Sequence, residues 1–376
     1  MAADQTDEQI LEAIWLSPGE SASQFSDLFL DQIPPDKIVS LLADFVQRCG
    51  AMVIVRKAEG AGEFSMVTER CEIPTVIARN TDGKIDRLSL YQPVWRNAAL
   101  DDLLGEIASF EGSVSYAVFV GDGANGELIA GHDADRPMAV GSAFKLIVLA
   151  AILGVIEEGE ADWSDVVKLE KKHISLPSGR LQNMPIGSPF TLHTLAAAMI
   201  ADSDNTATDV LIDVLGRDRL EALSGLKPFL TTREFFQLKA GKKVYERYEK
   251  ADLSGRYAIL DTLGDAPLPS PHEVLTPWQP EAEWLLSTEA LCNWITKVAD
   301  LDLMQLNPGM LRQSGWQRIA YKGGSETGVL NYTTLARDAR DRDYCVAITW
   351  NADRSIDPEP LGSLYVSVFQ ALARRP

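Results

Sequence analysis

A serine stands three residues ahead of a lysine in Ser142-Ala143-Phe144-Lys145, where the chain opens a long apolar run through Leu146, Val148 and Ala150 to Ile156. On a helix, that spacing puts both side chains on one face. The pair could perform acyl transfer. A serine oxygen is a weak nucleophile near neutral pH until a base takes its proton, and lysine can serve once burial and nearby cations lower its pKa. The helix N-terminus adds free N–H groups and partial positive charge where an oxyanion would form. Taken alone, however, the same residues read as an N-cap followed by a solvated helix lysine.

Two further segments shift that balance. Ser203-Asp204-Asn205 interrupts helical runs over 192–201 and 206–215, so it occupies a tight connection between two helices. There Ser203 could relay a proton to a leaving group, Asn205 offers an amide to substrate or to Lys145, and Asp204 suits the loop's own backbone. Lys322-Gly323-Gly324 closes a strand-like run, with a lysine able to anchor an anion and glycines that let a ligand approach the backbone. The N–H of Ser325 would then join that of Ser142 in an oxyanion hole, each donor worth roughly 3 kcal/mol of barrier lowering in comparable sites.

The elements that must position these groups follow from periodicity. Apolar residues recur at helical spacing over 22–47 (Phe25, Leu28, Phe29, Ile33, Ile38, Leu41, Leu42, Phe45), broken by Pro34-Pro35 into two helices. Period two takes over in four short strands at 52–55, 64–68, 75–78 and 87–91. This small α+β unit ends near Pro93. The pattern restarts with an amphipathic helix over 100–110, a strand at 115–120, a Gly-rich turn through Gly121 and Gly126, and a strand at 128–130. A long helical stretch reaches about residue 297, followed by strands at 318–321, 330–337 and 343–350 and a last helix over 361–373. That order implies one sheet built from the first two and last three strands, with a helical subdomain inserted between them. Two domains are expected, 1–97 and 98–376.

Composition narrows the partners. Thirty-five Lys plus Arg against 54 Asp plus Glu give a net charge of −19, so the average surface repels phosphate backbones and anionic lipids. Nucleic acid is a poor partner; an anionic small molecule in a locally cationic cleft is not excluded. No run of about 18 apolar residues predicts a membrane span. The acidic start, residues 1–9, lacks the basic and apolar regions of a signal peptide, which points to the cytoplasm unless a leader was removed. The four cysteines (Cys49, Cys71, Cys292, Cys345) have no Cys-x-x-Cys spacing and the four histidines no His-x-x-x-His pair, which argues against a zinc hydrolase. Neither metal nor other cofactor is expected. Cys49 and Cys71 flank the turn Glu59-Gly60-Ala61-Gly62 symmetrically and are either a disulfide or two half-buried thiols.

With Arg136-Pro137-Met138 leading into Ser142-x-x-Lys145, Ser203-Asp204-Asn205-Thr206-Ala207 before an apolar helix, and Lys322-Gly323-Gly324 ending a strand, the stretch from about Leu100 onward resembles the serine β-lactamase and penicillin-recognising superfamily, nearest class A. The resemblance covers roughly three quarters of the chain. It implies a β-lactamase-like α/β domain: a five-stranded antiparallel sheet with flanking helices and an inserted helical subdomain. It assigns Ser142 as acylated nucleophile, Lys145 as base, Ser203 as proton relay, Asn205 as substrate contact and Lys322 as electrostatic anchor, beside Gly324 and Ser325. The N-terminal unit is similar to the cystatin-like or nuclear-transport-factor-like domain that precedes such hydrolases in a group resembling a clavulanate-cluster protein and mycobacterial lipoproteins.

Two departures matter. Class A enzymes carry a Glu-x-x-Leu-Asn loop whose glutamate activates the deacylating water, and this chain has none; Glu234, in Thr231-Thr232-Arg233-Glu234-Phe235-Phe236-Gln237-Leu238-Lys239, is the nearest candidate, with the wrong spacing to Leu238. Gly323 stands where the family usually has Thr or Ser, a lost hydroxyl for which Ser325 or Thr327 could compensate. Both favour an esterase-like serine hydrolase, acting on a small ester or β-lactam-like molecule with feeble β-lactam turnover. The alternatives are a competent class A-like β-lactamase using Glu234 or another acid, a cell-wall peptidase, and an idle binding protein. Segment 239–284, with Trp278, Trp284 and several prolines, is either a lid or a surface excursion packed by its aromatics.

Overall fold

The computed structural model describes residues 5–121, 126–264, 266–313 and 315–375, so the expected Gly-rich turn between Gly121 and Gly126 lies mostly outside the described residues. The chain divides into two compact units, one made of residues 1–107 with 358–376 and the other of residues 108–357. Among the described residues no helix is long and apolar enough to cross a membrane.

In the first unit, four strands (Met52–Lys57, Glu63–Thr68, Cys71–Arg79, Ile85–Leu90) form an antiparallel meander in chain order, and Val94–Trp95 pairs with the start of the third. The helices Asp27–Gln32 and Pro35–Cys49 meet the expected break at the two prolines. An additional helix, Asp7–Leu16, was not expected from the acidic start. It is nucleated by a capping box between Thr6 and Gln9 and buries Ile10, Leu11, Ile14 and Trp15, which recur at helical spacing. The last helix, Pro358–Ala373, belongs to this unit, where the Ser363 hydroxyl donates to Pro93 O (2.8 Å) and Trp95 N donates to Ser367 Oγ (2.8 Å).

The thiols here decide between two expectations in favour of free cysteines, buried rather than half-buried. Cys49 ends a helix and Cys71 begins a strand, beyond the open end of the Met52–Lys57 hairpin, and both are free and buried. They are neighbours through Thr68, whose hydroxyl donates to Cys49 O (2.7 Å) and accepts from Cys71 N (2.9 Å). The bridge instead joins Cys292 to Cys345, 53 residues apart.

The second unit is built on one antiparallel sheet. Its strands lie in the order Trp316–Tyr321, Val329–Asp338, Asp343–Asn351, Ser113–Gly121, Glu127–His132, so the first two and last three strands of the unit do share a sheet. A sixth strand, Gly324–Glu326, continues the edge beyond Tyr321 and pairs with Asn331, Leu330 and Val329, so the sheet exceeds the expected five strands. All nine residues of Asp343–Asn351 are buried, as a central strand covered on both faces requires. The disulfide staples this strand to the helix Thr288–Val298. The helical subdomain contributes Lys145–Glu157, apolar on every side and therefore central, with Leu192–Ala201 and Asn205–Leu215 beside it. Segment 239–284 is mostly helical: Lys242–Lys250, then Leu253–Asp261 capped by Asp252, then a return to Trp284, whose ring stacks on Phe144 with centroids 3.7 Å apart.

Candidate active site

Ser142 sits in a single 3-10 turn, Gly141–Phe144, that leads into the helix beginning at Lys145. Gly141 holds φ at +50° to make that entry, a conformation costly for any residue with a Cβ. On the facing strand a Cβ added at Gly324 would collide with Val140 O and come within 2.5 Å of Ser142 N. The third motif needs glycine there because two backbones touch.

The three motifs converge on Lys145. Its Nζ lies 3.1 Å from Ser142 Oγ, 3.1 Å from Ser203 Oγ, 2.6 Å from Ser203 O and 2.7 Å from Asn205 Oδ1. Lys322 Nζ completes the chain at 3.0 Å from Ser203 Oγ and 2.6 Å from Gly323 O. Both ammonium groups are buried. Burial foremost, then the charge of Lys322, pushes Lys145 well below the ordinary lysine value, while Asp209 and Asp204 pull it back. Burial alone lowers Lys322 to about 7. Lys322 is thus partly a neutral amine near neutral pH, and Lys145 gives up its proton more readily than an ordinary lysine.

Ser203 pays for its place with backbone strain, at φ +55° without being glycine. Its carbonyl is held by Lys145 and by the Ser178 hydroxyl (2.5 Å). Asp204 serves the loop: it accepts from Ala207 N (2.8 Å), Arg180 N (2.6 Å) and Leu181 N (2.9 Å). Asn205 has both ends engaged, its oxygen with Lys145 and its Nδ2 donating to Leu176 O (2.9 Å). That geometry makes Asn205 a holder of the lysine in this state.

Ser325 is exposed on the edge strand and Thr327 partly so, whereas Gly324 and Gly323 are buried. Ser325 N lies 3.1 Å from where a Cβ on Gly141 would stand, so its amide flanks the Ser142 turn. A side chain at position 323 is disfavoured, because an added Cβ would overlap the Tyr321 hydroxyl and lie 2.8 Å from Asn331 O.

Glu234 is committed elsewhere. One oxygen takes Arg217 (2.6 Å) and the other accepts Thr231 N (2.8 Å), making it the third residue of a capping box on the helix Thr232–Ala240. The pattern Thr-x-x-Glu in the sequence carries that signal. Sequence reasoning missed Asp209, which is buried and accepts from Thr232 N, Thr232 Oγ1 and Arg233 N at 2.7–2.9 Å. It lies four residues after Asn205, on the same helix face, and ties the segment after the second motif to the helix that carries it. Burial raises its carboxyl to about 7 against those hydrogen bonds.

Comparison with known proteins bears on the fold. Residues 97–251 match the β-lactamase enzyme family called Beta-lactamase2. β-Lactamase 1 of Streptomyces cacaoi is 32% identical over 123 residues, which is 30% of this chain and only 38% of that protein's length. Among solved structures, a β-lactamase from Sphaerobacter thermophilus superposes with a TM-score of 0.51 at 19% identity, over 73% of this chain and 94% of its own. An ancestral class A β-lactamase gives 0.51 at 17% identity, over 73% and 98%. Sheet order, helical insertion and these superpositions together give the chain the class A-like serine β-lactamase superfamily fold.

Proposed function

We propose that this protein is a serine hydrolase that works through an acyl-enzyme on Ser142. The observation that carries the reading is the Lys145 ammonium, buried, depressed in pKa and 3.1 Å from Ser142 Oγ. Neutral Lys145 takes the Ser142 proton as Oγ attacks an acyl carbon, and the N–H groups of Ser142 and Ser325 receive the oxyanion. The Ser142–acyl bond forms as the leaving group departs with a proton passed through Ser203, itself bonded to Lys145 and Lys322. Lys322 supplies positive potential for an anionic substrate group.

Water release of the acyl group is the slow step on this reading. Glu234, the nearest sequence candidate for deacylation, is held by Arg217 and its own cap. Small esters are therefore the better substrates, and β-lactams acylate Ser142 and leave slowly. A competent class A-like β-lactamase is the second reading, and it draws support from the 32% identity to a named β-lactamase. The hydrolase module is taken as 98–376 and the N-terminal module as 1–97, the latter similar to cystatin-like or nuclear-transport-factor-like domains.

Mass spectrometry after incubation with penicillin G and with p-nitrophenyl acetate tests the proposal. The expected result is an adduct on the Ser142 peptide, longer-lived for the lactam. An unmodified Ser142 peptide together with full ester hydrolysis in Ser142→Ala would overturn it, and fast nitrocefin turnover would select the second reading.

A further inference from the structure

One buried and two half-buried ionisable side chains meet near the site and take no part in the chemistry above. Lys239, 3% exposed, is ion-paired with Glu326, and Glu283 lies against the same glutamate. Glu283 Oε2 and Glu326 Oε1 are sealed from solvent, and neither meets a donor among the described residues. Two bare carboxylate oxygens side by side in a dry interior are costly, and one proton between them removes both the repulsion and the missing hydrogen bond.

Glu326 and Glu283 stand on segments that touch the Ser142 turn, and the helix of Lys239 reaches it through Trp284. Glu326 ends the edge strand Gly324–Glu326 and, by alternation, shares a face with Gly324, the residue pressed against Val140 O and Ser142 N. Ser325, between them, carries the second proposed oxyanion donor. Glu283 precedes Trp284, whose carbonyl accepts from Val140 N (3.3 Å) and whose ring stacks on Phe144. Lys239 comes from the helix Thr232–Ala240, where its ammonium lies 5.5 Å from the centre of Phe235, itself packed on Trp284.

We propose that Glu283 and Glu326 share one proton and, with Lys239, act as positioning residues that hold the Ser325 amide in register with the Ser142 turn. The inference rests on the acyl-enzyme reading for its kinetic half and not for its thermodynamic half. The charged and titratable groups facing Glu283 are Glu326, Lys239 and Tyr245. Burial, then the Glu326 charge, holds the Glu283 carboxyl well above the usual carboxylate range, against the pull of Lys239. A raised folded-state pKa means that the stabilisation is complete below the unfolded carboxylate value and is lost as pH rises through the folded one. Losing the proton leaves two carboxylates against one ammonium, and the edge strand loosens.

The test compares wild type with Glu283→Gln and Glu326→Gln in the full chain from pH 5 to pH 9, by thermal unfolding and by the rate of Ser142 labelling with p-nitrophenyl acetate. A glutamine at 283 donates permanently where the proton sits. Glu283→Gln should gain Tm relative to wild type as pH rises. Its labelling rate should also keep only the rise with pH that Lys145 sets, where wild type adds a fall as the shared proton is lost. A Tm difference independent of pH in both variants would overturn the shared proton. A pH-dependent Tm difference with an unchanged labelling profile would overturn the positioning role. Absence of labelling in wild type at every pH would instead remove the acyl-enzyme reading and leave the Tm comparison to decide the proton.

Discussion

The two units bury different kinds of polar group. In residues 1–107 with 358–376, the buried polar side chains among the described residues are hydroxyls: Ser21, Ser26, Thr68, Thr75, Ser363 and Ser367. In residues 108–357 they include Lys145, Lys239, Lys322, Asp204, Asp209, Glu221, Asp338 and Asp343. A buried hydroxyl is satisfied by one carbonyl, whereas a buried ion needs several partners and shifts its pKa when they fall short. The first unit is thus built as an ordinary core, and the second spends stability to hold charge out of water. Part of that expense falls beside Ser142, at Lys145 and Lys322, whose lowered pKa values are typical of sites of proton transfer.

The contrast can be broken at several points. The largest effect is expected from Ser142→Ala, which should lower ester hydrolysis by about 10³-fold or more, read as loss of the acetyl adduct and of the burst. In the wild type the acylation rate should rise as pH climbs through the depressed Lys145 value, because the neutral amine is the base. The same depressed pKa means that Lys145's contribution to stability is present above the unfolded lysine value and lost as pH falls through the folded one.

Next comes the staple of the second unit. Cys292→Ser should cost about 4 kcal/mol by the chain-entropy estimate for a loop of 53 residues, measured by urea unfolding, and a reductant should reproduce the loss in wild type. Lys322→Ala should slow acylation about 10²-fold, near 2.7 kcal/mol, with a larger loss for a carboxylate-bearing substrate than for p-nitrophenyl acetate. A uniform loss would assign Lys322 to the Ser203 relay alone.

Asp209→Asn should cost about 1–3 kcal/mol, because one amide oxygen cannot receive the donors from Thr232 and Arg233 on both sides. Since the Asp209 carboxyl is raised to about 7, its stabilisation fades as pH rises through that value, and the gap between wild type and Asp209→Asn should narrow between pH 5 and 8. The smallest effect belongs to the first unit. Denatured, unreduced protein should titrate two thiols, Cys49 and Cys71, and Cys71→Ser should leave ester hydrolysis unchanged.

Much of the frame was legible because it depends on local rules. The strands expected at 318–321, 330–337 and 343–350 appear as Trp316–Tyr321, Val329–Asp338 and Asp343–Asn351, since β-branched runs between turns leave few alternatives. The Asp7–Leu16 helix was missed although Thr6 and Gln9 spell its cap, because its acidic composition masked the spacing of Ile10, Leu11, Ile14 and Trp15. The Thr231 and Glu234 box was likewise readable from the Thr-x-x-Glu spacing. Periodicity had no hold on the sulfurs: symmetry about a turn suggested Cys49 with Cys71, while the actual partners meet only when a helix packs on the central strand.

The sequence by itself determined the three motifs, their order and the elements that carry them, because spacing along a helix or strand dictates which side chains share a face. Tertiary structure alone decided that Lys145 is buried, that Ser203 is held at positive φ between two lysines, and that Lys239, Glu283 and Glu326 meet. Burial and charge proximity are sums over residues distant in the chain, and a pKa is set by that sum.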